Sequence, residues 1–182
     1  LSEVTKRFDI LSEPRIHLGY IVRQVLSPIV FFKKTDEIDY SSNNYKYGAL
    51  IVHVMVLMAS ADGNIDDIEA EEISHRLKGL SFLSDIEKYA LQAKALCLMS
   101  DNVTFRKKYY DYSINKIKEL NSGAQKTIIR IIKEIAVCDS YIDKGEMRFL
   151  RNIHEALELP TNNLKNELKI FAKENHIFLK DK

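Results

Sequence analysis

Apolar residues recur along this chain at helical spacing, and no stretch shows the strict alternation of a half-buried strand, so the pattern predicts helices throughout. Ser2–Leu11 reads as a short helix, and Pro14, placed where its missing amide costs nothing, opens another. Ile16–Phe32 follows as an amphipathic helix, interrupted by Arg23 and Gln24 and kinked or stopped at Pro28. Thr35–Asn44 is polar and rich in turn formers, which predicts a linker. Tyr45–Ala61 is nearly apolar all round from Ala49 to Ala59, as a central, buried helix must be. A helix after Asp66 runs to Lys78, with Ile68, Ile73 and Leu77 on its apolar side, Leu80 just beyond, and Gly79 marking its end. Ser84–Ser100 carries Ile86, Tyr89, Ala90, Ala93, Leu96 and Cys97 on one stripe. Asn102–Leu120, Ala124–Val137, Asp143–Leu157 and a last helix opened by Pro160 and Thr161 and ending near Glu174 complete the series. The organisation expected is an N-terminal helical arm and linker over residues 1–44 and a helical domain over residues 45–182.

Within that pattern one acidic segment occurs twice. Ala59–Glu69 reads Ala-Ser-Ala-Asp-Gly-Asn-Ile-Asp-Asp-Ile-Glu, and Ala136–Glu146 reads Ala-Val-Cys-Asp-Ser-Tyr-Ile-Asp-Lys-Gly-Glu. Asp62, Ile65, Asp66 and Glu69 match Asp139, Ile142, Asp143 and Glu146 at an offset of 77 positions. Each copy follows an apolar helix and opens another, which predicts a duplicated helix–loop–helix unit. Asp66 with Glu69, and Asp143 with Glu146, have the spacing of a capping box, a device that contributes on the order of 1 kcal/mol. Those four residues need no further explanation. Asp62 and Asp139 differ, because a carboxylate at a helix C-terminus faces unpaired carbonyls and needs a compensating cation or amide. Asp62, Asn64 and Asp66, with Asp67 and Glu69 close by, supply the hard oxygens that suit Ca²⁺ or Mg²⁺, with Zn²⁺ a third candidate. The loop is not an EF-hand, since Asp67 and Ile73 stand where Gly and Glu are required. The second loop is poorer in donors, with Ser140, Tyr141 and Lys144 among its residues. The candidate metal set is therefore Asp62, Asn64, Asp66, Glu69, Asp139, Asp143 and Glu146.

Composition narrows the class. The 27 basic and 26 acidic residues of the 182-residue chain leave a net charge of +1, against the basic excess of a general nucleic-acid binder, so no nucleic-acid partner is expected. Six glycines, three prolines and no tryptophan suit an all-helical chain. Cys97 and Cys138 lie far apart in apolar stretches and read as reduced core thiols of a cytosolic protein. No segment reads as a signal peptide or a membrane span.

In its repeated residues the chain resembles the TerB-like tellurite-resistance family, whose members carry Ala-x-Ala-Asp-Gly-x-Ile-x-x-x-Glu after a helix and a degenerate second copy. Ala59, Ala61, Asp62, Gly63, Ile65 and Glu69 fit the first copy; Ala136, Asp139, Ile142 and Glu146 fit the second. The resemblance covers Tyr45 to Glu174 and implies an all-α helical bundle with two pseudo-symmetric halves. It also implies a non-enzymatic role in bacterial stress response, in tellurite or metal-ion resistance, exercised through protein partners in the cytoplasm near the inner face of the membrane. It implies a metal-responsive surface at Asp62, Asp66, Glu69, Asp139, Asp143 and Glu146. The same module occurs in a membrane-anchored DnaJ-like co-chaperone, which implies an interaction role. Ser140 and Lys144 depart from the pattern and weaken the second site. The alternative is a purely protein-binding domain, a co-chaperone module or a toxin-neutralising immunity factor, with the loops as caps alone.

Other patterns carry less. His53 in its apolar helix reads as a core residue. Glu72 and His75 have the spacing of a di-iron bundle ligand pair but lack the second motif. His154-Glu155 begins like a zinc-protease helix, and Glu158 stands where the second His is required. Phe105-Arg-Lys-Lys-Tyr-Tyr110 reads as an ordinary helix with Phe105, Tyr109 and Tyr112 inward and its cations solvated. No P-loop, Rossmann glycine pattern or nucleophile elbow exists, and no catalytic residue is assigned. Ile16–Phe32 is expected to dock on the helical core, with peripheral membrane contact as its other use.

Overall fold

The structure is a computed structural model that describes residues 38–100 and 102–180. The described residues hold seven helices and no strand: α1 (Asn43–Ala59), α2 (Asp67–Lys78), α3 (Asp85–Ser100), α4 (Asn102–Lys118), α5 (Ser122–Val137), α6 (Lys144–Ala156) and α7 (Leu164–Glu174). The all-α fold expected from the apolar spacing is the fold observed. The Ile16–Phe32 segment, and most of the arm and linker expected over residues 1–44, lie outside the described residues.

Helix starts follow from side chains that satisfy otherwise orphaned amides. Ser42 Oγ accepts from the Tyr45 amide at 3.1 Å and Asn121 Oδ1 from the Ala124 amide at 2.9 Å. Ser84 and Glu87 form a reciprocal box, Glu87 Oε2 accepting from the Ser84 amide at 2.8 Å. Two helix ends use left-handed residues that are not glycine. Glu158 (φ 57°) follows α6 and His176 (φ 60°) follows α7. At each, the next amide returns to the last turn: Leu159 to the His154 carbonyl and Ile177 to the Ala172 carbonyl, both at 2.8 Å. The first of these turns delays α7 to Leu164, beyond Pro160, and His154 Nδ1–H donates to the Pro160 carbonyl at 3.0 Å to hold it.

α1 is the centre. From Leu50 to Ser60 every residue is buried, and α2 to α6 all pack on it. Each such apolar side chain contributes on the order of 1.5–3 kcal/mol of burial. α5, the corresponding helix of the second copy, buries one side through Ile128, Ile131 and Ile132 and is buried all round only in its last turn, Glu134–Val137. α3 departs from the predicted stripe. Leu91, Gln92 and Ala95 are its buried residues, and Cys97 is exposed rather than a core thiol. Apolar residues occur all round α3, so its own sequence does not choose a face; contact with α1 does. Ile68, 52% exposed, and Tyr112, 50% exposed, are likewise not in the core.

Candidate functional site

The two acidic loops share a left-handed residue, an Asp–amide hydrogen bond and a capping box. The left-handed position is Gly63 in the first (φ 107°) and Ser140 in the second (φ 69°). The Gly63 amide donates to the Ser60 carbonyl and the Ser140 amide to the Val137 carbonyl. Asp62 Oδ1 accepts from the Asn64 amide at 2.9 Å, and Asp139 Oδ1 from the Tyr141 amide at 2.8 Å. The amide compensation that a carboxylate at a helix C-terminus requires thus comes from within each loop. Both capping boxes are complete. Glu69 Oε2 accepts from the Asp66 amide at 2.9 Å and Asp66 Oδ1 from the Glu69 amide at 2.8 Å. In the second, Glu146 Oε2 accepts from the Asp143 amide at 2.6 Å, and Asp143 Oδ1 accepts from the Gly145 amide. Ile65 and Ile142, just ahead of the two caps, pack against the core.

The loops also meet. A Cβ on Gly145 would lie 2.2 Å from the Ala61 carbonyl oxygen, so α6 begins against the backbone of the first loop at a distance only glycine allows. Arg106 of α4 reaches the same carbonyl through Nη2 at 3.4 Å.

This meeting has an electrostatic cost. Glu69 and Glu146 are buried. Burial pushes both carboxyls up to about 8, although the Asp66 and Asp143 amides pull the other way. Asp66, Glu146 and Asp62 add to the rise at Glu69; Asp139, Asp143 and Asp62 add to it at Glu146. Asp62 thus acts on both. The Cys138 thiol is pushed up by burial and then by Glu69, Asp139, Glu72 and Asp66, so it holds its proton and is a poor soft-metal ligand.

Of the seven predicted metal-site residues, six carboxylates and Asn64, the fold brings the two loops into one region, through the Gly145–Ala61 approach and the fields their carboxyls share. Among the described residues, no three His, Cys, Asp or Glu side chains are arranged to hold a metal ion. The donors suit a hard cation in kind, but in this arrangement Asp66, Glu69, Asp143 and Glu146 each give an oxygen to a cap amide.

Sequence reasoning missed three features: Arg106 on the first loop, the acid-lined setting of Cys138, and Lys180, whose amide donates to the Ser140 carbonyl at 2.9 Å. All join residues far apart in the chain, and no local spacing signals them. The remaining motifs resolve as structure. Glu72 pairs with Arg76 at 2.5 Å and His75 is exposed. His53 is buried against the rings of Tyr109 and Tyr112, and burial, then Lys94, brings its pKa down to about 4. Of the aromatic–basic run, Lys108 lies over the Tyr109 ring, while the side chains of Phe105 and Lys107 are outside the described set. Among the described residues, no helix is long and apolar enough to cross a membrane.

The family model described as tellurite resistance protein TerB matches residues 49–167, a span that begins in α1 and ends in α7. Neither the curated proteins nor the solved structures give a match. The match takes in well over half of the chain and both acidic loops, and with the all-helical fold it places this protein in the TerB family, as a tellurite-resistance-related domain.

Proposed function

We propose that this protein is a non-enzymatic TerB module of the bacterial cytoplasm that acts through protein partners in tellurite or metal-ion resistance, and that its paired acidic loops make it responsive to a divalent cation. The observation that carries the reading is the meeting of the two loops, which sets Glu69, Glu146 and Asp62 in one shared field. That concentration of carboxyls, with Glu69 and Glu146 buried, is costly, and a cation would relieve it by replacing protons. Asp62, Asn64, Asp66, Glu69, Asp139, Asp143 and Glu146 are the residues that would supply oxygen donors. Because the caps occupy several of these oxygens now, cation binding on this reading includes a shift of side chains in at least one loop.

Thermal melts in millimolar Ca²⁺, Mg²⁺ or Zn²⁺ test it, since a ligand specific for the native state raises apparent stability. The expected result is a rise in Tm that is lost in the Asp62→Ala/Asp139→Ala double variant. A Tm indifferent to all three ions leaves the partner-binding role alone, with the loops as caps. Pulldown with the full chain then separates a co-chaperone or toxin-neutralising partner from others.

A further inference from the structure

Beyond the left-handed His176, the chain runs on from α7 without helix to the second acidic loop. Ile177 and Leu179 are half-buried against the core, while Phe178 between them is 88% exposed. The run ends where the Lys180 amide donates to the Ser140 carbonyl at 2.9 Å and the Lys180 ammonium lies 5.3 Å from the centroid of the Tyr141 ring. Among the described residues the first loop has no such segment across it. Asp62, Gly63 and Asn64 are exposed, whereas Asp139, Ser140 and Tyr141 are half-buried. At the position matching Ser140, the Gly63 carbonyl accepts no hydrogen bond among the described residues. Two loops that share an Asp–amide hydrogen bond and a capping box therefore differ in the segment laid across the second.

We infer that Asn175–Lys180 is a releasable strap that closes the second acidic loop and leaves the first one open. The attachment is slight. Among the described residues, Asn175–Lys180 meets the loop through the Lys180–Ser140 main-chain hydrogen bond and the Lys180–Tyr141 cation–ring contact, and the half-buried Ile177 and Leu179 hold the rest. Phe178, its largest apolar side chain, is turned away from the core it would most stabilise. Segments held by so few buried contacts open locally without global unfolding. At its other end the hinge is firm, because the Ile177 amide is tied to the Ala172 carbonyl at 2.8 Å. Opening therefore swings the strap about His176 and uncovers the Ser140 carbonyl and the Tyr141 ring while α7 stays in place.

Amide hydrogen exchange on the full chain tests the strap. Lys180→Pro removes the donor to Ser140, and Leu179→Ser removes a half-buried anchor without touching that donor. In both variants exchange at the Tyr141 and Asp143 amides should accelerate about tenfold, while Asn64 and Asp66, their counterparts in the first loop, keep their rates. Unchanged rates in the second loop overturn the inference. So does an equal acceleration in both loops, which would report a general loss of stability. A second arm, with Ca²⁺ as the probe, rests on the cation reading proposed above. Calcium-dependent protection of the first loop alone in the parent chain, and of both loops in the variants, supports strap and cation together. Calcium that protects neither loop in any chain overturns the cation reading, while the exchange difference still carries the strap.

Discussion

Single residues in this protein adopt backbone conformations that their type does not favour. Gly63 and Ser140 occupy the same left-handed position, and only the first bears no steric penalty there. The motif carries Gly in the first copy and Ser in the second, and that substitution reads in sequence as a weaker loop. The structure shows the conformation kept nonetheless, because the Asp139–Tyr141 hydrogen bond and the capping box beyond it hold the loop on both sides. Ser140→Gly should therefore stabilise the protein by about 0.5–1 kcal/mol, less than the full steric relief because glycine also loosens the unfolded chain. Gly63→Ser should cost a similar amount. Urea titration checks both, and a Ser140→Gly chain less stable than the parent would contradict the account. Glu158 and His176 escaped the sequence reading for a related reason. Helix ends are read from glycine, and here other residues take the left-handed turn.

Helices show where local pattern suffices and where it does not. α6 and α7 have clear apolar stripes, buried through Phe149, Leu150 and Ile153, and through Leu164 and Leu168. α3 has leucine and alanine on every side, and which of them face inward depends on α1. A charged contact that no spacing announces joins α2 to α5. Arg76 bridges Glu72 at 2.5 Å and Glu134 at 3.0 Å, and Arg130 adds a second contact to Glu134 at 3.0 Å. The Glu134 side chain is only 7% exposed, whereas Arg130 is 70% exposed and Arg76 32%. Removing the buried partner lets both guanidinium groups regain water, so Glu134→Ala should cost only about 1–2 kcal/mol, most of it lost packing. Glu134→Leu, which keeps the volume, should come within 1 kcal/mol of the parent, roughly, since a buried ion pair offers little over an apolar group. Chemical denaturation of the two variants side by side decides this, and a Leu variant as unstable as the Ala variant would show the ion pair itself to be the main contributor.

At the scale of the molecule, two opposed titrations among the described residues bound the pH range of stability. Glu69 and Glu146 rise from 4.5 to about 8, so the native state keeps protons that the unfolded chain has shed. Their contribution is complete below pH 4.5 and is lost as pH rises toward 8. His53 falls from 6.5 to about 4, so its contribution is complete above pH 6.5 and is lost as pH falls toward 4. Each unit of displacement amounts to about 1.4 kcal/mol, trimmed at the glutamates by the helix N-termini, which favour the charged form. The melting temperature should peak between pH 4.5 and 6.5. Glu69→Gln/Glu146→Gln keeps both capping acceptors and removes the titration. That variant should match the parent near pH 5 and melt above it at pH 8 and beyond. Parallel Tm profiles for the two chains would contradict the assignment of the alkaline limb to these residues.

Helix-forming spacing, the central apolar run, the caps and the repeated acidic segment are properties of neighbours along the chain, and the sequence determined them unaided. The family resemblance was legible for the same reason, since its residues lie within each loop. What only the tertiary structure decided is which surfaces face each other. It put Gly145 against Ala61, Arg106 beside the first loop and Lys180 across the second. It also made two ordinary capping glutamates into buried neighbours whose carboxyls are pushed up to about 8. Burial and the fields of distant charges depend on three-dimensional proximity, and a linear pattern carries that information only where the chain happens to be its own neighbour.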